Sequence, residues 1–285
     1  MTSSSAASKG TLFVVATPIG NLEDITLRAL RVLKEADLIA CEDTRQTQKL
    51  LSHHGIEKPT VSYHEHNEAE RAAELVERLD KGAKIALVSD AGMPGISDPG
   101  YRVVALAVAR GIAVVPIPGA VAFATALAAS GLATDAFRFN GFLAARSGQR
   151  QEALEGILSS PVTEIFYEAP HRLIDSLRDV VAKLGAERPV VVARELTKIH
   201  EEFVRGSADK VLRVFEDRPG EVKGEIVLLI GKGPAPVAAK GNSRERLDAI
   251  MRQQNLDEKA ALKVLAREMG VSKSEVYREV QRGRR

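Results

Sequence analysis

Three glycines and two prolines fall within the dozen residues Ser89–Gly100, directly after the apolar run Lys84-Ile85-Ala86-Leu87-Val88. That composition excludes both a helix and a strand. A buried strand that stops in such a loop, ahead of the helical pattern Tyr101–Arg110, fits a ligand crevice at the carboxyl edge of an open α/β sheet. The glycines let backbone approach a ligand closely. Asp90 and Asp98 are placed to accept bonds from hydroxyls or a cation. Val114-Val115-Pro116-Ile117-Pro118-Gly119-Ala120 repeats the arrangement and opens a helix over Val121–Ala129. This helix is nearly all Ala, Val, Leu and Phe, so it is expected to be buried. Its N-terminus offers free N–H groups.

Strand and helix patterns alternate along the chain. Strands Leu12–Ala16, Leu38–Cys41, Thr60–Ser62, Ile85–Ser89 and Ala113–Pro116 each precede a helical pattern: Ile25–Ala36, Thr44–His54, Asn67–Lys81, Tyr101–Arg110 and Ala120–Ala129. Such alternation predicts a largely parallel sheet with helical crossovers. A second set begins near Phe137–Phe142 and continues with strand Thr163–Tyr167, helix His171–Leu184, strand Pro189–Arg194, helix Ala208–Phe215 and strand Glu225–Ile230. The expected organisation is a disordered tail over 1–10, α/β domains over 11–120 and 121–232, and a linker over 233–242. A basic helical extension over 243–285, with helix-turn-helix spacing, completes it.

The formal net charge of +2 is unevenly placed: Lys240 onward holds 12 basic and 7 acidic residues, a net of +5, against −3 for the rest. A basic end suggests a polyanion partner, with Arg282, Arg284 and Arg285 as candidate phosphate contacts. One cysteine, Cys41, excludes a disulfide framework and a Cys-rich zinc site. Met1–Gly10 lacks the apolar core of a secretory signal. Ile112–Ala133 is uncharged, but Pro116, Pro118 and Gly119 break it into a strand and a helix. A cytoplasmic protein without a membrane span is expected.

Two clusters carry candidate chemistry. Glu42-Asp43-Thr44-Arg45 directly follows a strand, where a general acid or base and a phosphate contact would sit. Asp43 or Thr44 capping the next helix explains the same residues equally well. Tyr63, His64 and His66 offer rings for a splayed base. Two histidines two apart, with no third ligand at fixed spacing, do not make a metal site. In Arg194-Glu195-Leu196-Thr197-Lys198, Arg194 and Lys198 either contact phosphate or pair with Glu201 and Glu202.

Taken with Leu12–Ala29, Glu42–Arg45 and Ser62–Glu68, the two Gly/Pro loops make residues 11–232 resemble the tetrapyrrole-methylase-like superfamily of S-adenosylmethionine (SAM) methyltransferases. The likeness is to its ribosomal branch, and the basic extension fits it too. That resemblance implies a two-domain α/β class III methyltransferase fold with a small helical extension. It implies SAM folded in the crevice between the domains, held by Asp90, Ala91, Gly92, Pro118, Gly119, Ala120, Tyr167 and Gly224. It further implies 2′-O-methylation of a cytidine in the decoding region of 16S rRNA, an assembled small subunit as substrate, a homodimer and no metal. Many tetrapyrrole methylases carry Gly-Pro-Gly-Asp after the first strand, whereas this chain has Thr17-Pro18-Ile19-Gly20-Asn21. That departure counts against a tetrapyrrole-precursor C-methyltransferase. A non-enzymatic, metabolite-sensing regulator that binds nucleic acid is a third reading, but it leaves the strand-end clusters idle.

Overall fold

The computed structural model describes residues 9–218, 220, 222–234, 243–254, 256–269 and 273–282. Of the expected tail over 1–10, residues 1–8 lie outside them, as does most of the expected linker, 235–242; Gly10 is not disordered, being buried with its N–H donating to the Leu79 carbonyl at 2.8 Å. The first half is five strands, β1 (Thr11–Val15), β2 (Leu38–Cys41), β3 (Thr60–Ser62), β4 (Lys84–Leu87) and β5 (Ala113–Ile117), in the order β3-β2-β4-β1-β5. All pairs are parallel. Helices α1 (Leu27–Glu35), α2 (Thr44–His53), α3 (Glu68–Asp80) and α4 (Tyr101–Ala109) make the crossovers. Apolar clusters on both faces cover the sheet. That is why β2 reads as an unbroken apolar run rather than an alternating one. Cys41 is one of its buried residues, and burial pushes its thiol up.

Parallel strands put every carboxyl end on one edge. The turns after β1, β2, β3, β4 and β5 therefore converge there, as the sequence predicts.

Helix α5 (Ala122–Ser130) ends at Gly131 in the left-handed conformation (φ 80°), a glycine C-cap. The second half contains β6 (Phe137–Phe142), α6 (Ser147–Gly156), β7 (Thr163–Glu168), α7 (Leu173–Leu184), β8 (Pro189–Arg194), β9 (Glu202–Ser207), α8 (Ala208–Glu216) and β10 (Ile226–Ile230). Its sheet order is β6-β7-β10-β8-β9. It is mixed: β6 runs parallel to β7, while β10 is antiparallel to both neighbours and β9 to β8. The last strand in sequence is thus the central one in space.

Helices α7 and α8 pack on one face of this sheet through Leu173, Leu177, Val180, Val211 and Phe215. The other face receives Ala126 and Leu127 of α5 together with Ile19 from the first half. One cluster therefore ties the halves together. Helix α5 is not wholly buried as its composition suggests, since Ala124, Thr125, Ala128 and Ala129 are exposed. A helix packed on a single sheet buries one stripe whatever its composition.

The extension forms α9 (Ser243–Gln254), α10 (Glu258–Met269) and α11 (Lys273–Arg282). Asp257 caps α10 by accepting from the Ala260 N–H at 2.6 Å. Leu247, Ile250, Leu265, Val276 and Val280 make a core of their own. Among the described residues no helix is long and apolar enough to cross a membrane.

Candidate active site

The loop after β4 is fixed by backbone geometry. Gly92 and Gly95 take φ of 86° and 81°. At Gly92 the chain returns to β1: Thr17 N–H donates to the Gly92 carbonyl at 2.9 Å, and Gly92 N–H donates back at 3.1 Å. The Thr17 hydroxyl also donates to the Ser89 carbonyl at 3.0 Å. On the other side of β1, a Cβ on Gly119 would lie 2.8 Å from that of Ala16. Three strand ends are thus held in contact by backbone.

These loops form one wall of a cavity of about 360 Å³, lined there by Ile19, Ala91, Gly92, Met93 and Asp98. The start of α5 continues the wall with Val121 and Ala122. The second half supplies the facing wall from the carboxyl end of β7 (Tyr167, Glu168), from Leu196, and from Gly224–Val227 leading into β10. Gly224 takes φ of 87°, and a Cβ there would collide with the Glu195 carboxylate. That carboxylate accepts from Lys198 Nζ at 2.7 Å and from Glu225 N–H at 3.1 Å. The Lys198 bond holds it below the usual carboxylate range. Tyr167 packs edge-on to Phe139 and Phe142, with ring centroids 4.9 and 5.5 Å away. Burial raises its phenol.

Of the residues expected to hold a cofactor, Ala91, Gly92, Tyr167 and Gly224 line this cavity. Pro118, Gly119 and Ala120 are not lining residues; they directly precede Val121 and Ala122, which are, and Pro118 and Gly119 are exposed. Asp90 points elsewhere: it is exposed, and its Oδ1 accepts from the Asp43 N–H at 3.1 Å. The loop after β2 is thereby joined to the loop after β4. Asp43 itself caps α2, accepting from the Arg45 N–H at 2.8 Å and pairing with the Arg45 guanidinium at 3.0 Å. These bonds hold its carboxyl below the ordinary range. Glu42 is half-buried and raised, first by desolvation and then by the Asp90 charge. Neither Glu42 nor Asp43 is a lining residue.

Tyr63 corrects an expectation. It is 1% exposed, in the core between β2 and α3, so it offers no face to a base. Its phenol is pushed up to about 12 by burial, and its oxygen accepts from the Val103 N–H at 3.3 Å. Beyond the end of β3 the chain turns, leaving His64 half-buried and His66 exposed, their rings 6.0 Å apart. Tyr63→Phe should cost about 1–3 kcal/mol by stranding that amide. Thermal unfolding measures the loss, and RNA binding should be unaffected.

Arg45 projects into solvent, with 87% of its side chain exposed. Arg194 is engaged with Glu202 at 3.0 Å and with the Lys223 carbonyl at 3.2 Å. Lys198 bridges Glu195 and Glu225. Both basic side chains therefore have internal partners, the pairing alternative of the sequence reading, although Arg194 uses Glu202 and Lys198 neither expected acid. Arg282 ends α11 with its side chain outside the described atoms, and Arg284 and Arg285 lie outside the described residues. Among the described residues no three His, Cys, Asp or Glu side chains gather as a metal site.

Ile19, Leu196, Phe142 and Glu225–Val227 also line the cavity, though no motif in the sequence marks them. Ile19 and Leu196 sit beside residues that the sequence does mark, so adjacency is the available signal. Phe142 and the strand β10 residues carry none.

Two α/β sheets with a cavity between the carboxyl-edge loops of one and the strand ends of the other define a class III, tetrapyrrole-methylase-like methyltransferase. The chain matches the family Tetrapyrrole (Corrin/Porphyrin) Methylases over residues 11–212. A diphthine synthase structure aligns with a TM-score of 0.62 at 15% identity, covering 78% of this chain and 90% of its own. A Thermus thermophilus uroporphyrin-III C-methyltransferase, complexed with S-adenosylhomocysteine, aligns with a TM-score of 0.55 at 20% identity, covering 78% and 97%. The protein named ribosomal RNA small subunit methyltransferase I in Halalkalibacterium halodurans is 49% identical over 274 residues, 94% of each chain. The chain belongs to the ribosomal RNA small subunit methyltransferase I family.

Proposed function

We propose that the protein transfers a methyl group from SAM to the ribose 2′-oxygen of a cytidine in the decoding region of 16S rRNA. The observation that carries this reading is the two-walled cavity in a chain nearly half identical to a small-subunit rRNA methyltransferase. The residues suit the cofactor. The cavity falls in the usual size range for small-molecule sites, is mostly apolar, and has glycines where backbone must meet a ligand. Ala91, Gly92, Tyr167 and Gly224 would hold SAM directly, with Pro118, Gly119 and Ala120 leading into the wall at Val121 and Asp90 fixing the rim. SAM supplies an electrophilic methyl group. The protein's task is to orient the ribose hydroxyl, exclude water and take up a proton, and orientation alone can lower a barrier by several kcal/mol. Glu42, Asp43, Arg45, His64 and His66 lie on the rim loops, where an RNA strand would approach. The extension adds positive charge for phosphate.

The proposal includes a cytoplasmic homodimer with 16S rRNA, within the small subunit, as partner. The exposed apolar side of α5, with Phe137 on the neighbouring edge strand, supports the dimer. Ala128→Glu with Ala124→Glu should turn a dimer into a monomer in sedimentation velocity. A monomeric wild-type chain would refute this part.

The function itself is tested by nucleoside mass spectrometry of 16S rRNA from cells lacking the protein. One 2′-O-methylcytidine should be missing and should return on complementation. An unchanged nucleoside profile would overturn the reading.

A further inference from the structure

We propose that Asp98 is the general base of methyl transfer, accepting the proton of the attacking ribose hydroxyl; this role rests on the 2′-O-methylation reading above. The cavity is lined by four titratable side chains: Asp98, Tyr167, Glu168 and Glu225. Three of them are committed. Glu168 is 2% exposed; one oxygen accepts from Arg172 and the Ala169 N–H, both at 2.7 Å, and the other from the Ser176 hydroxyl at 2.5 Å. Glu225 pairs with Lys198 at 3.1 Å. Tyr167 is a phenol raised further by burial.

Asp98 differs. It is half-buried, its hydrogen-bond partner is the neutral Ser89 hydroxyl, and the charged groups acting on it, Glu42 after β2, Asp90 after β4 and Tyr167 from β7, are all acids. The cations on the loops that carry these groups and the other lining acids have partners of their own: Arg45 pairs with Asp43, Arg172 with Glu168, and Lys198 with Glu195 and Glu225. Desolvation first, and then the Glu42 charge, push its carboxyl up to about 6. Such a group is ionised near neutral pH yet basic enough to take a proton. The backbone holds it in place, because Ser97 takes φ of 61° and Gly100 starts α4.

In the transfer the 2′-oxygen bonds to the methyl carbon as that carbon's bond to sulfur breaks. The electron pair stays on sulfur, and the hydroxyl proton passes to Asp98. The proton leaves to solvent once the product has gone.

The test uses full-length protein and small ribosomal subunits from cells lacking it. In the wild type, the single-turnover rate should rise with pH through about 6 and then level. Asp98→Asn should lower the plateau by about 10²–10⁴-fold and abolish that limb. It should leave S-adenosylhomocysteine affinity, read by calorimetry, close to wild type. Glu42→Gln removes a like charge and should move the limb to lower pH.

A fourth readout needs no ligand. A folded-state value raised above the ordinary aspartate value means that ionised Asp98 destabilises the fold, and this cost grows as pH rises from about 4 to 6. Asp98→Asn should therefore gain melting temperature over wild type across that range. An Asn variant that loses S-adenosylhomocysteine affinity but keeps its rate at saturation would make Asp98 a cofactor ligand and overturn the proposal. So would ribose methylation at an undiminished rate. Methyl transfer to a base by the wild-type enzyme would instead overturn the 2′-O reading itself.

Discussion

Replacing Gly92 with valine should abolish cofactor binding while leaving the fold standing. Gly92 lines the cavity and takes φ of 86°, a conformation that costs an L-residue about 1–2 kcal/mol. Its bonds to Thr17 are made by backbone atoms and survive the change. A Cβ alone meets Ile19 and Ala120 no closer than 3.5 Å, so alanine fits at the cost of strain. Valine adds two methyl groups in a confined buried loop, beside the wall that a ligand must touch. Calorimetry with S-adenosylhomocysteine should show about 100-fold weaker binding or worse for valine, roughly 3 kcal/mol, and a smaller loss for alanine. Both variants should melt only modestly below wild type. Wild-type affinity in the valine variant would place the cofactor outside this cavity.

The second large effect concerns the extension. Ending the chain after Gly233 should remove affinity for small ribosomal subunits without unfolding either sheet. The cut preserves the Gly233 N–H bond to the Ser160 carbonyl at 2.7 Å and the Lys232–Asp135 ion pair at 2.8 Å. It removes α9–α11, whose apolar core, among the described residues, draws on residues 247–280. S-adenosylhomocysteine binding should persist. The removed segment carries a net +5 from Lys240 onward against −3 for the remainder, so the salt dependence of RNA binding should flatten. Each lost single-strand phosphate contact reduces the logarithmic slope by about 0.7. Binding and methylation equal to the full-length protein at several salt concentrations would show that the extension is only a cap.

The parallel sheet was legible because its strands are buried on both faces and write themselves as apolar runs, as Leu38–Cys41 does. β9 and α6 were not. β9 is an edge strand whose Glu202, Arg205 and Gly206 hide its alternation. The sequence Ser147–Gly156 has no apolar stripe of helical period, and Leu154 is the one large apolar residue buried in it.

The first wall of the cavity was visible in the Gly/Pro loops. The second was foreshadowed only at Tyr167 and Gly224, through family likeness. Phe142, Ile226 and Val227 reach the cavity through β-sheet pairing over long sequence separations, which no local pattern encodes. Tyr63 fell on the wrong side for a simple reason. Proximity to histidines in sequence says nothing about which way a residue faces at the end of a strand.

The placement of β10 has a consequence for how the protein is made. The second sheet holds β10 between β7 and β8, so it cannot close until residue 230 has left the synthetic machinery. Helix α5 emerges about 100 residues earlier and has no surface of that sheet to pack on in the meantime. At about 5–20 residues per second, its apolar side waits some 5–20 s. A newborn chain therefore carries a finished parallel sheet with an unpartnered greasy helix at its edge, and that interval is when it most needs a chaperone. Nascent chains stalled before β10 should be cut by protease throughout the second half yet resist over the first.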